Sequence, residues 1–90
     1  FIRDHGAIPA PLNYHGFPKA ICTSLNEVIC HGIPSETNIL KDGDIINIDV
    51  TTILNGYYGD TSTMFAVGEV TEDARKLMSV AQDCLAIGIC

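Results

Sequence analysis

The longest patterned stretch of the chain, residues 44–67, consists of two apolar-rich runs on either side of an Asn-Gly pair. β-Branched and aromatic residues dominate both runs, and these residue types favour strands. Asn55 and Gly56 both tolerate the positive φ that a two-residue hairpin turn requires. The pattern therefore predicts an antiparallel hairpin with strands at about residues 44–54 and 57–67.

The turn also sets which residues face each other across the hairpin. A two-residue turn pairs Leu54 with Tyr57 and places Thr51 opposite Asp60. Because side chains alternate between the two faces of a strand, Asp49 shares a face with Asp60. The two carboxylates are expected to be diagonal neighbours, roughly 7–8 Å apart at the backbone and able to reach a common point.

A second pattern, with apolar positions at helical spacing, follows the hairpin and predicts a helix over residues 71–89. Thr71 is a good N-cap, and the two acidic residues after it suit the positive end of a helix dipole. The apolar face is expected to pack on the sheet through Leu77, Met78, Ala81 and Leu85.

The region before the hairpin carries weaker patterns. Residues 1–18 are rich in proline and glycine and are predicted to form loops. Short strands are predicted at residues 20–25 and 28–30, and a turn at residues 42–44. One helix and several strands that are not interleaved with it predict an α+β fold.

Composition narrows the class of protein. Ninety residues make at most one small domain, with a limited core. The net charge of −6 and the lack of a basic stripe argue against nucleic acid as a partner. No apolar run approaches the ~18 residues of a membrane span, and the start of the chain does not resemble a signal peptide. The four cysteines, in no zinc-type spacing, are expected to be reduced in a cytoplasmic protein: Cys22, Cys30, Cys84 and Cys90.

The two aspartates on one face are the first candidate for chemistry. A single Asp in a strand can be a solvent-facing residue that protects a sheet edge. Two carboxylates among apolar residues repel each other and resist burial unless a positive group joins them. A divalent cation, or a pair of cations, is therefore expected between Asp49 and Asp60.

A second candidate is His31, which ends a predicted strand and opens a Gly-Ile-Pro loop. Strand ends often present a side chain on a rigid support. A single histidine in an apolar context is otherwise more often structural, and that interpretation is kept for His15. His5 is interpreted as a surface residue.

Four segments together resemble type I methionine aminopeptidases: residues 9–19, 28–34, 41–50 and 55–62. The resemblance covers nearly the whole chain and implies a pita-bread fold, in which helices back a curved antiparallel sheet. It also implies two divalent ions (Co, Mn, Fe, Zn or Ni) in a central cleft. The implied reaction removes the N-terminal methionine of nascent proteins by attack of a metal-bridging water on the first peptide bond.

The resemblance assigns roles residue by residue. Asp49 matches the carboxylate that chelates one metal, and Asp60 matches the carboxylate that bridges both. His31 matches the histidine that contacts the scissile-bond amide of the substrate. The positions that match the lining of the methionine pocket are Tyr14, Phe17 and Cys22.

The family completes its metal site with a histidine and two glutamates from a later part of the domain, so this chain carries two of five ligands. Because the chain starts at Phe1 and stops at Cys90 within a helical pattern, it is expected to be the N-terminal half of a catalytic domain and inactive alone. The full-length protein is expected to be a monomer, and ribosome association would suit a nascent-chain enzyme. Two alternatives stay open: a prolidase or aminopeptidase P-like peptidase, and a non-catalytic pita-bread binding module.

Overall fold

A computed structural model describes all 90 residues, from Phe1 to Cys90, as a four-stranded antiparallel sheet and one long helix. Two 3₁₀ turns, at Arg3–His5 and Tyr14–Gly16, lie in the N-terminal region. The regular elements are β1 (Ile8–Pro9), β2 (Cys22–Leu25), β3 (Ile45–Leu54), β4 (Tyr57–Ala66) and α1 (Glu72–Ile89). The α+β arrangement is the one that the sequence predicts.

The central strand is β3. Strand β4 pairs along the whole of one edge of β3, whereas β1 and β2 share the opposite edge. Strand β2 is shorter than the predicted strand at residues 20–25. Asp49 of β3 therefore has two direct neighbours, Cys22 of β2 and Ser62 of β4.

The hairpin prediction is confirmed. Asn55 and Gly56 form the turn with φ values of 52° and 82°, and both strands end within one residue of the predicted bounds. Thr51 lies opposite Asp60, as the two-residue turn requires. A conformation that is costly for most residues is accessible to Asn and Gly, and this local preference fixes the register of the whole hairpin.

The short strand predicted at residues 28–30 is wrong, because the chain turns there. The N–H of Val28 donates to the carbonyl of Leu25 at 3.0 Å, so this segment curls back towards the end of β2. The residue that pairs with β2 is Gly32, whose carbonyl accepts the N–H of Thr23 at 2.9 Å.

A polar clasp ties the turn after β2 to the start of β3. The side chain of Asn26 donates to Asp44 Oδ1 at 2.9 Å and accepts the N–H of Ile45 at 3.1 Å. The other carboxylate oxygen of Asp44 accepts the N–H of Lys41 at 2.9 Å. The hydrogen bond from Asn26, followed by that from Lys41, lowers the pKa of Asp44, because both bonds favour the ionised carboxylate.

The long helix α1 begins one residue after the predicted start. The hydroxyl of Thr71 accepts the N–H of Ala74 at 3.2 Å and caps the first turn. Glu72 and Asp73 follow it and complement the positive end of the helix dipole.

The predicted packing of this helix on the sheet is wrong in part. Leu77 and Leu85 are 61% and 60% exposed, so these side chains are not covered by the sheet. A gap of about 440 Å³ separates the helix from the sheet, and it is lined by Met78 and Ala81 on one side and Met64 on the other. The helix therefore faces the sheet but does not pack tightly against it.

The buried core is small and lies mainly where β2 runs beside β3. Ile45 and Ile46 of β3 are 9% and 8% exposed, and Ser24 of β2 is 3% exposed. No helix in the structure combines the length and the apolar character needed to cross a membrane.

Candidate metal centre and substrate cleft

A cleft of about 820 Å³ opens on the face of the sheet that carries Asp49 and Asp60. Residues from the loops on either side of β2 form its other walls. All six candidate residues identified from the sequence line this one cleft: Tyr14, Phe17, Cys22, His31, Asp49 and Asp60.

Asp49 and Asp60 form the acidic floor of the cleft. Asp49 is half-buried, and its pKa is raised, first by burial and then by the negative charge of Asp60 and a hydrogen bond to that carboxyl group. The neighbouring His31 opposes this effect. A carboxyl group whose ionisation is disfavoured by a second carboxylate forms, together with that carboxylate, a site that a cation would stabilise.

Thr51 orients the second of these acids. Its hydroxyl donates to Asp60 Oδ1 at 3.0 Å across the paired strands. Sequence reasoning did not identify Thr51 as a site residue, although the hairpin register already places it directly opposite Asp60. A hydroxyl beside a carboxylate is the signal that could have found it.

Cys22 forms part of the cleft wall beside Asp49. It is 6% exposed, and burial raises its pKa, with smaller contributions from the charges of Asp49 and Cys30. A buried thiol with a raised pKa stays protonated and behaves as a small apolar group. All four cysteines are free thiols in the structure.

The aromatic wall of the cleft comes from the loop before β2. Tyr14 and Phe17 line the cleft together with His15. The rings of Tyr14 and His15 meet edge to face with centroids 4.4 Å apart. His15, interpreted from the sequence as structural, thus belongs to the cleft lining, and a single sequence offers no sign of this beyond its aromatic neighbour.

His31 lies on the rim between this wall and the acidic floor. Its backbone has a φ of 56°, in the left-handed region that L-residues disfavour. The adjacent Gly32 is hydrogen-bonded to β2, and the side chain of His31 is exposed in the cleft.

The acidic floor was tested for its fit to a divalent cation. No group of three or more His, Cys, Asp and Glu side chains comes together as a metal site. The oxygen donors of Asp49 and Asp60 nevertheless suit a divalent cation, because hard carboxylate ligands bind such ions and their proximity is unfavourable without one. The pair thus fits part of a divalent-metal site.

The family is established by comparison with known proteins. Residues 1–89 match the model of metallopeptidase family M24. The chain therefore belongs to metallopeptidase family M24. It is 60% identical over 89 residues to methionine aminopeptidase of Rickettsia prowazekii, covering 99% of this chain and 34% of that protein. It is also 60% identical over 87 residues to methionine aminopeptidase A of Synechocystis, covering 97% and 34%.

The fold comparison agrees with the family. The crystal structure of the Rickettsia prowazekii methionine aminopeptidase superposes with a TM-score of 0.88 at 61% identity, over 91% of this chain and 33% of that chain. The pita-bread likeness and the α+β class expected from the sequence are confirmed. The chain spans about a third of the length of the relatives that it matches.

Proposed function

We propose that this chain is the part of a methionine aminopeptidase that carries two metal ligands, the substrate-contacting histidine and much of the methionine pocket. The observation that carries the proposal is the single cleft lined by all six candidate residues. Membership of family M24 and the 60% identity to named methionine aminopeptidases support it.

In this proposal Asp49 would be a ligand of one divalent ion, and Asp60 would be a ligand shared by two. When bound, such a pair supplies Lewis-acid activation of water and of the scissile carbonyl. The hydrogen bond from the Thr51 hydroxyl holds the Asp60 carboxylate in one orientation. Less side-chain reorganisation is then needed when a metal ion binds. Co, Mn, Fe, Zn and Ni are all compatible with a carboxylate-rich donor set.

His31 provides a hydrogen-bonding group at the rim of the cleft. A substrate whose amino terminus enters the cleft passes this imidazole, which then contacts the amide of the first peptide bond. The physical value of the contact is orientation, because it holds the amide so that its carbonyl carbon is exposed to attack.

The pocket for the first side chain lies between the aromatic wall and β2. Cys22 is buried, Phe17 is half-buried and Tyr14 is exposed. Together they form an apolar surface that extends from the bottom of the pocket to its opening. A flexible, polarisable thioether suits such a surface. The proposed substrates are therefore nascent proteins that begin with methionine. We further propose that the full-length protein acts in the cytoplasm as a monomer.

The proposal is tested in a completed protein, in which this chain replaces the matching segment of the Rickettsia prowazekii methionine aminopeptidase. With Co²⁺ or Mn²⁺ added, the completed protein should release methionine from Met-Ala-Ser. Peptides beginning Xaa-Pro, where Xaa is not Met, serve as the comparison, because cleavage of those alone would indicate a prolidase or aminopeptidase P. Metal binding without cleavage of either peptide would favour a binding module.

A further inference from the structure

The backbone of His31 has an unusual conformation for a residue with a side chain. Its φ of 56° lies in the left-handed region, where Cβ crowds the following carbonyl oxygen. Such a conformation persists only when the surrounding structure holds it. The groups that hold residue 31 are therefore part of what directs its imidazole into the cleft.

The next residue, Gly32, is attached to β2 by two hydrogen bonds. Its carbonyl accepts the N–H of Thr23 at 2.9 Å, and its own N–H donates to the hydroxyl oxygen of Ser24 at 3.0 Å. The acceptor of the second bond is a side-chain oxygen and not a backbone carbonyl. This bond therefore requires a residue at position 24 that can accept a hydrogen bond.

Gly32 also lies directly against the backbone of β2. A Cβ at position 32 would overlap the carbonyl oxygen of Thr23 and lie 2.9 Å from the Cα of Ser24. Only a glycine can approach so closely. The close approach and the two hydrogen bonds together fix the end of the His31 backbone to one place on the strand.

Ser24 is suited to this task by its burial. It is 3% exposed, less than Cys22, Ile45 or Ile46, and its neighbour Asn47 belongs to β3, the strand of Asp49. A hydroxyl in such a position has few alternatives to the bond it makes, since buried polar groups are almost always paired. Ser24 thus connects the histidine loop to the strand pair beneath the acidic floor.

We propose that Ser24 is a positioning residue for His31, because its hydroxyl anchors Gly32 and thereby holds His31 in the left-handed conformation that directs the imidazole to the substrate. This inference rests on the proposed function for its kinetic consequence. Its structural part, the anchoring of Gly32, stands independently of catalysis.

The first test is Ser24→Ala in the completed protein. We expect kcat on Met-Ala-Ser to fall roughly tenfold, as for the loss of one hydrogen bond, with KM changed less than about twofold. Ile46→Val is the control for lost stability, because Ile46 is 8% exposed and lies outside the cleft. It should lower the Tm without lowering kcat. Unchanged kcat in Ser24→Ala would overturn the proposal.

A double-mutant cycle separates positioning from general damage. In the His31→Ala background, Ser24→Ala should lower kcat by less than about twofold, because the group that Ser24 positions is already gone. A full tenfold loss in that background would show that Ser24 acts elsewhere and would contradict the inference. Should Ser24→Ala fail to fold, Ser24→Cys takes its place in the cycle, because the thiol keeps most of the side-chain volume and is only a weak hydrogen-bond acceptor.

Amide hydrogen exchange tests the structural part without any activity. Exchange at Gly32 should be at least about tenfold faster in Ser24→Ala than in the parent protein, whereas Ile46→Val should leave it unchanged. Equal exchange at Gly32 in Ser24→Ala and the parent would overturn the anchoring itself. Inactivity of the parent completed protein, with accelerated exchange in Ser24→Ala, would instead count against the proposed function and leave the anchoring supported.

Discussion

The hydroxyl of Thr51 donates to Oδ1 of Asp60 at 3.0 Å, from the position directly opposite in the hairpin. The bond runs across the face that also carries Asp49. An acid that is expected to bind metal is therefore already held by a neutral donor from the strand of the other acid.

Replacing Thr51 with valine should weaken metal binding. Thr51→Val keeps the shape of the side chain and removes the donor, and loss of an outer-shell hydrogen bond typically costs ~10–100-fold in affinity. Titration calorimetry of the completed protein with Mn²⁺ measures this. Thr52→Val is the matched control, because Thr52 lies on the other face of the same strand. Equal Kd values for the two variants would contradict the assigned role of Thr51.

Removing the charge of Asp49 should stabilise the metal-free protein at neutral pH. Burial and the charge of Asp60 raise the pKa of Asp49, so the folded chain holds a proton there more readily than the unfolded chain. Without metal, the free energy of unfolding should fall as pH rises from about 3.9, the ordinary Asp value, through the raised pKa, and then level off. Asp49→Asn should remove this fall.

The measurement is the Tm of the completed protein in EDTA across this pH range. Asp49→Asn should melt a few degrees higher than the parent at neutral pH, with the difference vanishing in acid. Added Mn²⁺ should reverse the order, because it stabilises only the parent appreciably. Parallel Tm profiles of parent and variant in EDTA would show that the pKa of Asp49 is not raised in the folded protein.

Methionine release should be lost in Asp49→Ala and in Asp60→Ala.

Asp44 should have the opposite pH dependence. The hydrogen bonds from Asn26 and Lys41 lower its pKa, so its contribution to stability is complete above about 3.9 and is lost as pH falls through the lowered pKa. Asp44→Asn should therefore melt below the parent at neutral pH and converge with it in acid. Thermal melts against pH measure the effect, with Asp83→Asn in α1 as a surface control. A difference that persists unchanged in acid would mean that charge is not involved.

Replacing His31 should affect turnover far more than stability. His31 is exposed, so His31→Ala removes few packing contacts. A positioned hydrogen-bonding group in a cleft typically contributes ~10²–10⁴-fold to the rate, and kcat on Met-Ala-Ser should fall by that factor. The Tm should change little. Unaltered kinetics with a large drop in Tm would identify His31 as a structural residue.

The 90-residue chain by itself should bind divalent metal weakly and release no measurable methionine. Two carboxylates provide too few ligands for a pair of ions, and no group of three or more ligating side chains is present. The exposed apolar face of α1, including Leu77 and Leu85, should also make the purified chain aggregate. A peptide assay with Co²⁺ or Mn²⁺ and light scattering measure both properties. Robust methionine release would refute the need for further ligands.

The hairpin and the shared face of the acids could be predicted because their causes are local. Asn55 and Gly56 determine the turn and hence the register, and the alternation of side chains along the strands then determines which residues share a face. The cap of α1 at Thr71 is local as well. These features need no knowledge of distant parts of the chain.

The mistaken predictions depend on contacts between distant segments. Residues 28–30 have strand-like composition, but the close approach of Gly32 to Thr23 takes the pairing position instead. Leu77 and Leu85 have the right spacing to face the sheet, yet spacing cannot tell how far a helix stands from it. The same holds for Ser24, whose importance appears only once its hydroxyl is seen beside Gly32.

Because the turn has two residues and side chains alternate between faces, the number of residues between each acid and the turn decides whether the two acids share a face. Asp49 and Asp60 share a face because Asn55 and Gly56 alone link paired positions on β3 and β4. Inserting or deleting one residue after the turn, while the strand ends stay paired, would move Asp60 to the opposite face. Gain or loss of a single codon between the turn and either acid should therefore abolish the site even where every side chain of the cleft is retained.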